Sequence, residues 1–221
     1  MATPISHHEI ALLNHKGAEA LACGNDKVAH RIFKGIVEAM GVLSATPEAT
    51  AGEHAPLQTA VISSISVPGL KDERFFVFGE VLLYQVSVGS ARPSLLDLCL
   101  CSCISLFNMA LTYHRRALLT GARQLFLTTS RVYSQALTIA NSITEESDDV
   151  KRLKVVILNN LAQIKYFELD EVDDALHQLQ HVKTIMNSFG DAGSAAFAQH
   201  SREEIMLNLM LTRPPSTAGC A

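Results

Sequence analysis

The feature that most restricts the fold of this sequence is a spacing of small residues that returns three times along the chain. In each copy, a small residue is followed twelve or thirteen positions later by a second small residue, and four positions after that by a large apolar one. Two helices can cross closely where small residues face each other, and the large residue then fills the gap to the next pair. The pattern therefore predicts antiparallel helical hairpins that stack side by side. The three copies are Gly17, Ala29 and Phe33; Ala110, Ala122 and Phe126; and Ala162, Ala175 and Leu179.

Composition and apolar periodicity favour helix over most of the chain. The 221 residues are 48% hydrophobic and only 6% aromatic, and the two commonest types, Leu and Ala, have high helix propensity. We predict one domain over residues 1–212 and a disordered tail at 213–221. The domain comprises a first helical hairpin at 6–41, two further hairpins at 94–188 and a C-terminal capping helix at 194–212. Within the two further hairpins, the predicted helices are 94–114, 119–143, 147–168 and 171–188.

Residues 44–92 have a different pattern, which predicts a loop and a small β insertion at about 59–88. Apolar and serine residues alternate from Val61 to Val67, and β-branched or aromatic runs follow from Phe75 to Val88. Gly79-Glu80 separates two of these runs and is predicted to form the two-residue turn of a β-hairpin, with Gly at the first central position. The alternative is a longer loop whose apolar residues pack on the helices.

Two runs of the sequence match a known repeat pattern. The better match is Asn159-Asn160-Leu161-Ala162 followed by Ala175-Leu176, and the second is Asn108-Met109-Ala110-Leu111-Thr112-Tyr113 followed by Gly121-Ala122. These runs resemble the tetratricopeptide repeat, which implies an all-α fold of antiparallel hairpins in a right-handed array. The copies lie 93 and 53 residues apart instead of about 34, and Trp is absent, so long helices and an insertion are expected. The alternative is an unrelated helical bundle.

The resemblance also implies a function. Such an array leaves a concave face lined by the first helix of each hairpin, and this face binds an extended peptide or a partner helix. We therefore predict a non-enzymatic protein-interaction module, or scaffold, that binds a protein or peptide partner. Val156 and Ile157 stand where a cation would be needed to hold a terminal carboxylate, so no carboxylate clamp is predicted. The predicted partner-binding residues are Asn14, Phe107, Leu111, His114, Arg115, Asn159, Gln163 and Tyr166.

A second function stays open on the sequence. The chain could be a structural subunit that self-associates into a homo-oligomer, with its groove occupied in cis. The apolar strip for this contact would lie on the first hairpin or on the last helix. The strip on the last helix consists of Ile205, Met206, Leu209 and Met210.

A thiol- or metal-dependent enzyme is the third possibility, using Cys99, Cys103 and the pair His177 and His181. On a helix, Cys101 points away from the other two cysteines, and no Glu follows His177 as it does in zinc hydrolases. The sequence also lacks a nucleophile elbow, a phosphate-binding loop and a dinucleotide fingerprint. We therefore predict buried inert thiols and exposed histidines, with no cofactor and no metal.

Charge and apolar runs restrict the partners further. The formal charge of −4 carries no field strong enough for nucleic acid. The run from Leu95 to Tyr113 is long enough to span a membrane, but Asp97 and Asn108 favour a buried helix, because polar groups at the bilayer centre are costly. The N-terminus lacks a basic and then apolar signal segment, and the cysteines form no spaced framework. We expect an intracellular, cytoplasmic protein without membrane contact.

Overall fold

The structure is a computed structural model that describes residues 6–44, 62–70, 75–84, 95–144, 147–189 and 199–211. These residues form mainly helices, with one small antiparallel sheet, so the predicted all-α fold with a small β-hairpin insertion is confirmed. The predicted tail at 213–221 lies outside the described residues. The elements are α1 (His7–Ala22), α2 (Asp26–Ser44), β1 (Ile62–Ser66), β2 (Glu80–Tyr84), α3 (Leu95–Thr120), α4 (Arg123–Ser142), α5 (Asp148–Phe167), α6 (Val172–Asn187) and α7 (Gln199–Leu211).

Local chemistry explains where several helices begin and end. Ser6 and Glu9 form a capping box at the start of α1, in which each side chain bonds the backbone N–H of the other residue. The side chain of Ser147 accepts a bond from the N–H of Val150 at the start of α5. Gly121 follows α3 with a φ of 63°, a left-handed conformation that glycine adopts readily. The helix predicted to end at residue 114 therefore continues to Thr120.

Each helix packs against the next helix in the sequence, from α1 to α7. In addition, α1 contacts α3, and α3 contacts α5, so the first helices of successive hairpins form one layer. The sheet lies against this layer, with β1 on α1 and β2 on both α1 and α3. The insertion is thus placed on the inner face of the helices.

The close approach predicted in the first hairpin is present, but the contact partner of Gly17 differs from the expected one. A Cβ atom on Gly17 would lie 2.6 Å from Cε1 of Phe33. Phe33, the large apolar residue of the first copy, therefore packs directly on Gly17 where Ala29 was expected. Phe33 and Ala29 are both fully buried.

The predicted hairpin turn at Gly79-Glu80 is wrong. β1 pairs with β2 in an antiparallel register from Ile62 opposite Tyr84 to Ser66 opposite Glu80. The connection between the strands contains Gly69 at a φ of 80°, whereas Gly79 is not in the left-handed region. A Cβ atom on Gly79 would lie 3.1 Å from Cβ of Leu70, so this glycine allows a close packing contact instead of a turn.

Helix α3 is the apolar helix that the sequence singled out. Its segment Leu96–Thr120 is long and apolar enough to cross a membrane, but 67% of its most apolar stretch is buried inside the fold. The buried residues include Cys101, Cys103 and Phe107, which belong to the main hydrophobic core. By these measures α3 is the central core helix of the described chain.

Candidate functional site

Among the described residues, five buried asparagines lie on α1, α3, α5 and α7 on the side of the insertion. They are almost unexposed, and their amides form hydrogen bonds with the extended segment 75–84 or with one another. We call this set the asparagine ladder. It consists of Asn14 on α1, Asn108 on α3, Asn159 and Asn160 on α5, and Asn208 on α7.

Three members of the ladder hold one backbone residue each through two hydrogen bonds. Asn108 accepts from the N–H of Leu82 at 2.9 Å and donates to its carbonyl at 2.8 Å. Asn160 does the same at Phe78, at 2.8 and 3.0 Å. These bonds satisfy backbone groups that would otherwise be buried without a partner.

Asn208 repeats this geometry at Phe76, with both distances at 2.8 Å. The three bound residues Phe76, Phe78 and Leu82 are separated by even numbers of positions, so they present their N–H and C=O groups on one edge of the extended segment. A primary amide offers the same donor and acceptor pair as a peptide group. The asparagine ladder therefore binds the segment as a neighbouring strand would.

The opposite edge of the segment is occupied by β1. Val67 donates from its N–H to the carbonyl of Gly79 at 2.8 Å, and the register continues along β2 to Tyr84. From Gly79 to Tyr84 the segment is thus bonded by β1 on one edge, while asparagine side chains bond its other edge at Phe76, Phe78 and Leu82.

The remaining two members of the ladder each bond a neighbouring asparagine: Asn14 pairs with Asn108, and Asn159 pairs with Asn160 and Asn208. Asn14 donates to the carbonyl of Leu82 at 3.0 Å and accepts from Asn108 at 3.0 Å. Asn159 donates to the carbonyl of Phe76 at 3.0 Å and accepts from Asn208 at 2.8 Å. Bonds linked in this way inside a low dielectric reinforce one another and hold the side chains in fixed orientations.

A second buried network supports the ladder from behind. Asn160 donates to the hydroxyl of Tyr133 at 3.2 Å, and that hydroxyl lies 3.4 Å from Nδ1 of His114. Nε2 of His114 lies 3.0 Å from Oε1 of Gln163. Burial raises the pKa of Tyr133, which keeps its hydroxyl protonated and able to donate. The network joins α3, α4 and α5 beneath Phe78.

Five of the eight predicted partner-binding residues lie beneath the insertion. Asn14 and Asn159 contact the segment directly, and His114 and Gln163 belong to the supporting network. The ring of Phe107 lies 6.3 Å from that of Phe78. The structure thus brings these five residues together beneath the chain's own insertion, and their role in partner binding stays a prediction.

The other three predicted residues have different surroundings. Leu111 is fully buried in the main core. Arg115 forms an ion pair with Asp26 and donates to the carbonyl of Pro68 at 2.8 Å, so it fixes the connection after β1. Tyr166 packs on the neighbouring Phe167, at a ring separation of 4.8 Å.

Sequence reasoning missed Asn108, Asn160 and Asn208 as site residues. Each is an amide within an apolar stretch of helix, and buried amides need hydrogen-bond partners. Asn108 and Asn160 also stand two positions before the matched small residues Ala110 and Ala162. An asparagine at the same position of two copies was the sequence signal that could have identified these site residues.

The cysteines and histidines proposed for an enzyme do not converge. Burial raises the pKa of Cys101 to about 12 and also raises that of Cys103, whose thiol donates to the carbonyl of Ala136 at 3.2 Å. His177 and His181 are exposed, with ring centroids 4.5 Å apart. Among the described residues, no three His, Cys, Asp or Glu side chains are placed to share a metal ion.

Alkylation of the cysteines tests this assignment. In the folded protein at pH 8, we expect iodoacetamide to modify the exposed Cys23, whereas Cys101 reacts more slowly by a factor of roughly 1,000 or more. The raised pKa depletes the thiolate of Cys101, and its burial blocks access of the reagent. Peptide mass spectrometry measures each site, and the same reaction in urea is the control. Equal rates at Cys23 and Cys101 in the folded state would show that Cys101 is reactive and would support the thiol-enzyme hypothesis.

Comparisons of this chain with protein-family models, with curated proteins and with solved structures give no match. Its function is therefore argued from the geometry of the asparagine ladder and of the segment that the ladder holds.

Proposed function

We propose that this chain is a non-enzymatic protein-interaction module, built as a right-handed array similar to tetratricopeptide repeats, that binds an extended segment on its concave face. The observation that carries the proposal is the set of two-bond contacts from Asn108, Asn160 and Asn208 to the backbone of residues 75–84. In this chain the segment occupies the groove in cis.

Recognition of the backbone supports a binding role. The ladder contacts N–H and C=O groups, which every residue except proline presents, so a segment of different sequence can make the same bonds. In peptide recognition by strand addition, such bonds give affinity, and pockets for alternate side chains give specificity. Here the side chains of Phe75, Phe78 and Leu82 are buried, each at most 2% exposed.

Because residues 75–84 of the same chain occupy the groove, a partner segment must compete with them for the ladder. A tethered segment acts at an effective concentration of about millimolar, so an untethered segment of equal affinity competes poorly at micromolar concentration. A partner must therefore bind more tightly than residues 75–84, or act when they leave the groove. Without such a partner, the groove of the module is occupied by residues 75–84.

A second candidate function is a structural subunit in which the segment is a permanent part of the core. One observation favours it: Leu207 and Met210 on α7 are 54% and 63% exposed, and such apolar side chains can form a contact between subunits. Under this alternative, residues 75–84 never leave the groove. An exchange experiment distinguishes the two candidates.

The experiment converts the segment into a separate peptide without altering the groove. Protease recognition sites are inserted after Lys71 and after Ser90, and the purified chain is cleaved at both. A fluorescent, lysine-flanked peptide with the sequence of residues 75–84 is then added in excess. We expect the labelled peptide to replace the cleaved segment, measured by fluorescence anisotropy and by its co-elution with the helical part in size-exclusion chromatography.

Backbone N-methylation supplies the matched control. Methylation at Phe78 removes the donor to Asn160, and we expect competition by this peptide to weaken by about 10-fold or more. Methylation at Val77 removes an N–H on the opposite edge and leaves the ladder contacts intact. If the cleaved protein falls apart, retains its own segment against excess peptide, or treats both methylated peptides alike, recognition by the ladder in trans is excluded and the structural subunit is favoured.

A further inference from the structure

The segment held by the ladder carries a single charged residue, Glu80, and this residue lies near a buried arginine of α5. Residues 75–84 are apolar or uncharged except for Glu80. Among the Asp, Glu, Lys and Arg side chains of the described residues, only Arg152 on α5 is classed as buried, at 8% exposed. Buried charges are costly unless they are paired. Their proximity therefore needs a functional or structural reason.

A serine of β1 connects these two charges. Oγ of Ser64 donates to Oε2 of Glu80 at 2.5 Å, and Nη2 of Arg152 lies 3.4 Å from the same Oγ, to which it donates. Nη1 of Arg152 also donates to the carbonyl of Ile62 at 3.0 Å. The guanidinium is thus fixed by β1, and its charge is directed at the position of Glu80.

The charge balance around Arg152 depends on two carboxylates. Burial lowers the pKa of Arg152, whereas the charges of Glu80 and Asp149 raise it. Asp149 is on the same helix and is present whatever segment is bound. The carboxylate of Glu80, in contrast, arrives with the segment in the groove.

We propose that Arg152 and Ser64 form an acid-selecting subsite, so that the groove takes extended apolar segments with Glu or Asp at the position of Glu80. This inference rests on the proposed function and names the class of partner: a strand-forming segment with aromatic or aliphatic residues at the positions of Phe75, Phe78 and Leu82, and one carboxylate. The ladder supplies contacts that are independent of side chains, and Arg152 supplies the selection.

The selection follows from the cost of leaving Arg152 without this carboxylate. Gln at the Glu80 position can still accept the hydrogen bond from Ser64 through its amide oxygen, but it lacks the negative charge that acts on Arg152. A lysine there places a second cation beside a buried one. A hydrogen bond to a charged group contributes about 1.5 to 3 kcal/mol and a neutral one about 0.5 to 1.5 kcal/mol, so the loss of the charge corresponds to roughly 5- to 10-fold in a dissociation constant. The expected order of affinity is therefore Glu, Asp, Gln and then Lys.

Competition in the cleaved protein tests the subsite. Four peptides with the sequence of residues 75–84, differing only in Glu, Asp, Gln or Lys at the Glu80 position, compete with the labelled peptide. We expect the Gln peptide to need about 5- to 10-fold more material than the Glu peptide for half displacement, and the Lys peptide to need still more. In an Arg152→Met variant, the difference between Glu and Gln should disappear. The peptide series with Arg152 intact decides the question if that variant does not fold.

The outcomes separate the two proposals. Equal competition by the Glu and Gln peptides, together with measurable exchange, would overturn the acid-selecting subsite and leave the interaction module in place. A Glu–Gln difference that persists unchanged in a folded Arg152→Met variant would also overturn it. Failure of every peptide to exchange would overturn the interaction module and this inference together.

Discussion

Replacing Asn160 by Ala is expected to destabilise the protein by about 3 to 5 kcal/mol. The substitution leaves the N–H and the carbonyl of Phe78 buried without their partner and removes the donor to Tyr133. Each buried backbone group left unsatisfied costs about 1 to 3 kcal/mol. Urea denaturation followed by circular dichroism measures the change in the free energy of unfolding. Hydrogen exchange should also become faster at the amide of Phe78.

An asparagine outside the ladder provides the control. Asn187 is exposed at the end of α6, and its replacement by Ala should change the free energy of unfolding by less than about 0.5 kcal/mol. If the Asn160 and Asn187 variants had the same stability, the ladder would not hold the segment. Unchanged protection of the Phe78 amide in the Asn160 variant would have the same meaning.

The helices could be predicted from the sequence because their signals are local. Apolar periodicity and the Ser147 cap act within one or two helical turns, so the helix predicted at 147–168 is found at Asp148–Phe167. The helix predicted at 119–143 spans the turn at Gly121, and it is found only from Arg123 to Ser142. The turn predicted at Gly79 failed for the opposite reason. The conformation at Gly79 depends on its packing against Leu70 and on its hydrogen bond with Val67. These are tertiary contacts, and the local Gly-Glu pair does not encode them.

For α3 and α5, the sequence predicted the helices that carry the candidate site, but it did not predict which of their residues form the two-bond contacts. The repeat placed Phe107 and Asn159 on the inner face, but Asn108 and Asn160, each one position later, make the two-bond contacts. Adjacent helical residues point about 100° apart, so an offset of one residue changes which side chain meets the segment. That offset depends on how α3 and α5 rotate against their neighbours, which single-sequence periodicity does not specify.

The proposed subsite at Arg152 could not be predicted from the sequence. Arg152 lies 88 positions from Ser64 and 72 from Glu80, and no spacing rule connects them. Their association depends on the register of β1 and β2 and on the placement of the sheet against the helices. The burial of Arg152 can be recognised only after the fold is known.

Replacing Leu111 by Glu is expected to unfold the domain. Leu111 is fully buried in the core, so the substitution removes an apolar side chain and buries a carboxylate with no partner designed for it. The lost burial costs about 2 kcal/mol and an uncompensated buried charge about 3 to 5 kcal/mol more, which together approach the whole stability of a typical domain. Far-ultraviolet circular dichroism and size-exclusion chromatography at 25 °C, the temperature to which these estimates refer, measure the loss.

The matched control lies on the same helix. Leu119 is 62% exposed, and the same change there, Leu119→Glu, should leave the unfolding transition within about 0.5 kcal/mol of the wild type. The contrast matters for binding studies, because loss of a partner by the Leu111 variant would report unfolding instead of a groove contact. A folded Leu111→Glu protein with a cooperative transition near that of the Leu119 variant would show that position 111 faces solvent, and that the inner layer of α1, α3 and α5 is open.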